Sequence, residues 1–497
     1  MNSDNPKKIG VIGAGIGGLS AAALLAAKGH QVTLFERNNK AGGKMQEYRA
    51  DGYRFDTGPS LLTMPEVLRS LFRQCGKNLD DYIDLTEPDP LCRYIYPDQT
   101  IFDNFQSKKK TLTELGKISP EDRVAYTEFL DYSKSLYDKT SDAFLFNPLY
   151  NLSDLREVNF LDLAKIDAHT TVSKKIDSWF QSDYLKQFFK RFTTYNGSSP
   201  YQAPATLNVI PHVEISKGGY YIMGGLYRLA DCLLELNREL GVSIRFRSHI
   251  DKIVVKKHRA TGVINKSGTF TKFDIIVSNS DATETITKLL GEDYLPASRI
   301  RRQKRIEPSC SGFVILAGTN RKWELLKHHN IFFSSDYKME FHQIFRDKTL
   351  PDDPTIYIAN TSFSDSKDAP DNGSNLFILV NAPYLSDHQN WDTLSEKYPA
   401  VIIKKLENSG LDNLADSIVV QKTITPVEFL EKFRSNKGSI YGTSSNTRLS
   451  AFLRPRNKLR EVDGIYLTGG STHPGGGIPL VVLSAMHVVE LINRFEM

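Results

Sequence analysis

The hydrophobic pattern changes period several times along this chain. Near the start, an apolar and β-branched run from Ile9 to Ile12 gives way to glycines at Gly13, Gly15 and Gly18. A helix-forming run follows (LSAAALLAAKG), then a second apolar strand (QVTLFE) that ends on Glu36. VLRSLFRQCG reads as an amphipathic helix closing at Gly76, and CRYIYPDQTIFDNF as strand pieces. In AYTEFLDYSKSLYDKTSDAFLF the apolar residues recur every three or four positions, which predicts a helix with one buried face. From Gly218 the pattern returns to α/β: glycine pairs, a helix ending at Gly241, a strand and a turn near Ser248. FDIIVSNSD, Phe273 to Asp281, is a buried strand ending in a polar turn. Residues 294–419 alternate strands and helices, with TIYIANTS and LFILVNAP flanking an Asp/Ser/Gly-rich turn. That pair suits a mixed sheet roofing a pocket. The last periodic stretch, GIYLTGGSTHPGGGIPLVVLSAMHVVELI, is a strand, a glycine turn and a helix from about Pro479.

Composition narrows the class. At 497 residues the chain exceeds one ordinary core and predicts two or three domains. Hydrophobic residues at 40% and charged residues at 24% are those of a soluble globular protein. A net charge of +5 over this length gives nucleic-acid binding no support. Cys75, Cys92, Cys232 and Cys310 form no CxxC pair, so they read as reduced thiols in a cytosolic protein, with no zinc site. Ile9 to Ala27 carries no charge and follows two lysines, but its glycines make a poor apolar helix core, so it is not a targeting segment. IPLVVLSAMHVV is too short to span a bilayer and contains a histidine. Arg299, Arg301, Arg302, Lys304 and Arg305 read as a solvated face. There is no internal repeat.

The N-terminal stretch carries chemistry as well as pattern. Strand, Gly-rich turn, helix and strand with an acidic residue about 20 positions on is the arrangement that binds a dinucleotide. Gly13 permits the tight turn, Gly15 lets the backbone approach a pyrophosphate, and Gly18 lets the helix pack on the sheet. The helix N-terminus offers free N–H groups to phosphates, and Glu36 is placed to accept hydroxyl protons from an adenosine ribose. Ala14, Gly17 and Arg37 complete this set of candidate cofactor contacts. AGGK, Ala41 to Lys44, adds a second glycine pair beside a cation, so Gly43 and Lys44 suit a further approach to pyrophosphate. FDTGPSLLTMP, from Phe55, adds a rigid turn at Gly58, Pro59 and Ser60 that can wedge against a flavin.

These pieces, in this order, resemble the flavin-dependent amine oxidase and phytoene desaturase superfamily. THPGGGIP near the C-terminus, preceded by a strand and paired with the N-terminal fingerprint, is more similar to carotenoid desaturases than to amine oxidases. SIYG at Ser439 to Gly442, with Thr425 and Pro426, fits the same pattern. Leu480 departs from it, since the family often has glycine there. The resemblance implies an α/β fold: a Rossmann-like FAD-binding domain assembled from separated segments, with an inserted α+β substrate domain. The expected segments are 1–90, 216–293 and 421–497 for FAD, 91–215 for a largely helical substrate and membrane-contact region, and 294–420 for the substrate-domain sheet. It implies an Ile250 backbone contact to adenine, and Gly470, Gly477 and the Ile478 N–H at the flavin ring.

The same resemblance implies a bacterial FAD-dependent carotenoid desaturase, most like a 1′-hydroxycarotenoid 3,4-desaturase. Phytoene or diapophytoene desaturation, isomerisation and oxygenation are the alternatives, and an isoprenoid-lipid carrier of GDP-dissociation-inhibitor type is the non-enzyme one. Expected partners are a carotenoid, oxygen or a quinone as terminal acceptor, and a membrane surface met from the cytoplasm. Trp179 to Tyr195 (WFQSDYLKQFFKRFTTY) mixes aromatics with Lys186, Lys190 and Arg191. It reads as a core helix, a channel wall or the membrane-contacting rim, and the rim is the expectation carried forward. No catalytic side chain is assigned. His473 suits a structural turn, and Asp183, Arg191 and Tyr195 are weaker candidates.

Overall fold

A computed structural model describes residues 5–148, 166–447 and 454–497. Three stretches far apart in sequence build one five-stranded parallel sheet. Its strands are β1 (Lys8–Ile12), β2 (Gln31–Phe35), β3 (Ser243–Arg245), β4 (Ile275–Ser278) and β5 (Ile465–Leu467), in the order β3-β2-β1-β4-β5. Every pairing is parallel. A parallel sheet is covered on both faces, which is why β1 and β4 are near-continuous apolar runs and do not alternate.

Helix α1 (Ile16–Ala27) is apolar on all sides because it is sandwiched between the sheet, α2 (Arg228–Glu239) and α3 (Ile478–Glu496). Its close seat depends on Gly18, where a Cβ would lie 2.0 Å from the Gly13 carbonyl oxygen. α3 corrects the expectation drawn from its apolar run. The helix continues to Glu496, making 19 residues, and is long and apolar enough by length and composition to cross a membrane. Its inner face is instead buried against α1 and the helix Pro65–Gln74, so it is a core helix.

A seven-stranded sheet forms the second layer. Its order is Ile418–Ile424, Ser311–Thr319, Ser374–Ala382, Ile356–Asn360, His329–Phe332, Cys92–Ile95 and Ile101–Asn104. It is antiparallel except where His329–Phe332 runs parallel to Cys92–Ile95, which sets Tyr94 opposite Ile331. Period-two alternation divides the work. Leu376, Ile378 and Val380 pack in the core beneath the helix Trp391–Asn408, while Phe377, Leu379 and Asn381 face a cavity.

The segment expected as a membrane-contacting rim is core. In the helix Asp183–Lys190 and the turn after it, Leu185, Phe188, Phe189 and Phe192 are buried. Phe188 packs edge-on against Tyr94 and Phe102, Phe189 lies against Phe129 and Phe180, and Phe192 lies against Phe188. The cations are paired: Lys186 with Asp183, Lys190 with Asp177, Arg191 with Glu214. Burying these rings contributes about 1.5–3 kcal/mol each.

Candidate active site

The two sheets enclose one cavity of about 660 Å³. One end of it is built from the carboxyl ends of the parallel strands, the side of such sheets on which ligands bind. Gly13, Gly15 and Gly17 form its floor after β1. Positive φ at Gly13 (94°) lets the chain reverse into α1, and a Cβ on Gly15 or Gly17 would strike the Asn279 side chain at 2.8 and 2.7 Å. Ala14 and Gly18 stand behind this surface; Ala14 donates its N–H to Glu36, and Gly18 seats the helix.

Glu36 emerges at the end of β2 and lines the cavity while only 4% exposed. Its Oε2 accepts from the Ala14 N–H and its Oε1 from the Asn38 N–H, both at 2.8 Å. Each carboxylate oxygen keeps a further lone pair for a ligand hydroxyl. Arg37 and Arg434 stand beside it. Burial and the charge of Arg434 lower the Arg37 pKa, and Arg37 Nη1 and Arg434 Nε are buried without a hydrogen-bond partner among the described residues. Two adjacent cations with unused donors suit a polyanion. The donor set and the glycine floor therefore fit a dinucleotide, with Ile250 on the same wall.

Gly42 donates to the Ala14 carbonyl at 2.8 Å, which docks the AGGK loop on the glycine turn and puts Gly43 against Gly15. Lys44 lines the cavity, but its role differs from charge neutralisation alone. Its ammonium donates to the carbonyls of Ser439 and Ile440 at 3.0 and 2.6 Å, tying the C-terminal segment to the N-terminal one. Burial lowers its pKa to about 8, with Asp281 pulling the other way. Gly58 packs on the Lys44 carbonyl, where a Cβ would lie 2.4 Å away, and Pro59 and Ser60 face the cavity.

From the C-terminal motif, Gly470, Gly477 and Ile478 line the cavity. Gly477 has φ of 113° and open space where a Cβ would point, so its bare backbone fronts the cavity at the start of α3. A helix N-terminus there favours negative charge on whatever it faces. Leu480 lies on the same wall. His473 also lines it, stacked on His487 and held at a pKa of about 4 by burial, a neutral structural ring.

Of the weaker candidates, Arg191 and Tyr195 reach the cavity, whereas Asp183 does not. The Asp183 side chain is 96% exposed at a helix start and pairs with Lys186, because the buried face of that helix is its aromatic one. Several lining residues went unseen in the sequence. Asn279 and Asp281 sit just past β4, in the SNSD turn that the sequence showed as a polar turn after a buried strand and that the structure sets beside β1. Arg454 is buried beneath Gly475, donates weakly to the Tyr441 and Gly470 carbonyls, and is lowered to about 10 by burial. Glu214, His329 and Tyr357 carried no local signal.

Comparison with known proteins agrees with this geometry. Residues 16–493 match the family model described as flavin containing amine oxidoreductase. A 4,4′-diapolycopene oxygenase of Methylomonas sp. is 35% identical over 497 residues, 99% of each chain. A 4,4′-diaponeurosporene oxygenase of Staphylococcus aureus is 34% identical over 495 residues, again 99% of each. Among solved structures, an oxidoreductase from Methanosarcina mazei superposes with a TM-score of 0.65 at 15% identity, covering 97% of this chain and 100% of that one. A fingerprint floor, an acidic residue at the end of β2 and a glycine-fronted helix start thus stand in a chain matched over nearly its whole length: it belongs to the flavin containing amine oxidoreductase family and is an FAD-dependent oxidoreductase.

Proposed function

We propose that this enzyme oxidises an acyclic carotenoid at its terminal region. The observation that carries the reading is the cavity itself, which is lined both by the glycine floor and by Leu145, Leu207, Val209, Ile210 and Val213. These five side chains carry no charge and no polar handle, which suits a hydrocarbon polyene. At roughly 25 cal/mol per Å² of buried apolar surface, a long polyene binds by burial alone. Bound FAD supplies acceptance of a hydride equivalent from an allylic carbon. The residues of this chain do the rest. The apolar wall excludes water, and Ser60, Tyr357 and His329 form a hydrogen-bonded row in which burial holds the imidazole neutral, far below its usual pKa.

The relatives named as oxygenases, matched over 99% of both chains, favour oxygenation, which we place at a terminal carbon with dioxygen as the source of the oxygen atom. Desaturation of a 1′-hydroxycarotenoid at its 3,4 bond is the second reading, favoured by a polar patch in the otherwise apolar wall. We place the enzyme at the cytoplasmic membrane surface, because its substrate dissolves in the bilayer, and give it oxygen or a quinone as terminal acceptor. Expression in cells that accumulate hydrocarbon or 1′-hydroxylated polyenes tests the choice. Pigment that gains oxygen supports the first reading, pigment that only loses hydrogen supports the second, and unchanged pigment in every host refutes both.

A further inference from the structure

Within the polyene-facing part of the cavity lies a buried ion pair. Arg191 follows the helix Asp183–Lys190, and Glu214 sits on the separate helical turn His212–Ser216. They are 6% and 2% exposed, and both line the cavity. Arg191 Nη1 donates to Glu214 Oε2 at 3.3 Å, and Nη2 donates to Glu214 Oε1 and the Tyr94 hydroxyl. The Tyr195 hydroxyl donates to Glu214 Oε2. Burial alone lowers the Arg191 pKa, but Glu214 outweighs it and holds the guanidinium above its ordinary range. Arg191 Nε is buried with no hydrogen-bond partner among the described residues, and the same is true of His329 Nε2.

An ion pair in an apolar wall is poor economy for stability. Desolvating each ion costs several kcal/mol, and well-packed apolar replacements of both partners are often neutral or stabilising. Nor does the pair serve a hydrocarbon, which can neither donate nor accept. The polar surface is also extended. His329 Nδ1 shares a hydrogen bond with Tyr357 at 2.7 Å, and Tyr357 shares one with Ser60 at 2.6 Å. That row ends on the Gly58–Ser60 turn at the cofactor end of the cavity, and at its other end the Arg191 charge, after burial, adds to the lowering of the His329 pKa.

We propose that Arg191, Glu214 and Tyr195 form a recognition site for the oxygenated end of a polyene. This inference rests on the polyene reading above. Arg191 has donors for a carbonyl or hydroxyl oxygen, and Glu214 has lone pairs for a hydroxyl proton. A terminal alcohol or aldehyde is held where this cluster lines the cavity. Unmodified hydrocarbon meets the same apolar wall without that anchor.

The test uses FAD-loaded enzyme and three probes: an acyclic hydrocarbon polyene, the same polyene with a terminal hydroxyl, and the same with a terminal aldehyde. Dissociation constants come from quenching of flavin and tryptophan fluorescence. Wild type should prefer the oxygenated probes by about 10- to 100-fold, the range for hydrogen bonds to charged groups. The double variant Arg191→Met/Glu214→Met should lose that preference while its hydrocarbon affinity stays within about threefold, since both charges leave together. Tyr195→Phe, which leaves the ion pair intact, should reduce the preference for the hydroxyl probe and serves if the double variant fails to fold. Equal loss for all probes, or preference retained in both variants, overturns the assignment. Wild type that binds hydrocarbon and oxygenated probes alike overturns it while leaving the polyene reading standing. Wild type that binds no polyene removes both.

Discussion

Replacing Glu36 with alanine separates two jobs that the structure gives one carboxylate. It lines the cavity, and it accepts the Ala14 and Asn38 N–H groups at 2.8 Å each. Removing the charged acceptor from a ribose hydroxyl weakens FAD by about 1.5–3 kcal/mol, or about 10- to 150-fold in Kd. Removing the acceptor from two backbone donors costs the apoprotein about 1–3 kcal/mol for each group left dry. Water entering the space of the lost carboxylate keeps that second cost near its lower bound. Apoprotein titrated with FAD gives the first quantity, and thermal unfolding of the same apoprotein gives the second. Glu36→Gln should fall between, because its carbonyl oxygen serves one N–H while its amide opposes the other. Equal FAD affinity in Glu36→Ala and wild type would refute the ribose contact. A lowered Tm with unchanged Kd would leave Glu36 as a brace for the turn and nothing more.

Gly18→Ala places a methyl group 2.0 Å from the Gly13 carbonyl, so α1 must shift; thermal unfolding should show a loss of about 1–3 kcal/mol, with reduced flavin content on purification. Arg54 joins Asp56 at 2.7 Å and Asp368 at 3.5 Å in a buried network, and Arg54→Met should destabilise by about 3–5 kcal/mol, read by urea or thermal unfolding. Burial raises the Glu340 carboxyl from 4.5 to about 7, against hydrogen bonds from Thr355 and Ser334. The folded state therefore holds this proton where the unfolded state has released it, and stability falls as pH rises from about 4.5 to 7. Glu340→Gln should match wild type near pH 4 and exceed it above pH 7 by on the order of 3 kcal/mol, measured as Tm against pH. If the enzyme binds anionic liposomes, Lys186→Glu/Lys190→Glu should float as wild type does, because the aromatics beside those lysines are core; loss of flotation would return this segment to the membrane rim.

Strand, turn and helix at both ends of the chain were legible because their causes are local. Glycine spacing sets φ and the approach distance at Gly13, Gly15, Gly18 and Gly477, and an apolar run without alternation marks a strand covered on both faces. Glu36 was found the same way, since the length of α1 and its turn determines where β2 must end. Two patterns were ambiguous for a physical reason. Aromatics interleaved with cations fit a membrane rim and a core helix equally, and the C-terminal apolar run, read as too short to span, continues into a 19-residue helix that by length and composition fits a bilayer or a protein interior. In both cases the sequence specifies how much apolar surface must leave water and is silent on what covers it. Only tertiary structure supplied the cover: Tyr94, Phe102 and Phe129 for the first, α1 and its neighbours for the second. Charged groups follow the same division. Arg191 finds Glu214 23 positions away, and Lys44 finds Ile440 396 positions away, distances at which no periodicity carries information. Local geometry is written in neighbouring residues, whereas the partner of a buried charge depends on which distant segment folding brings beside it.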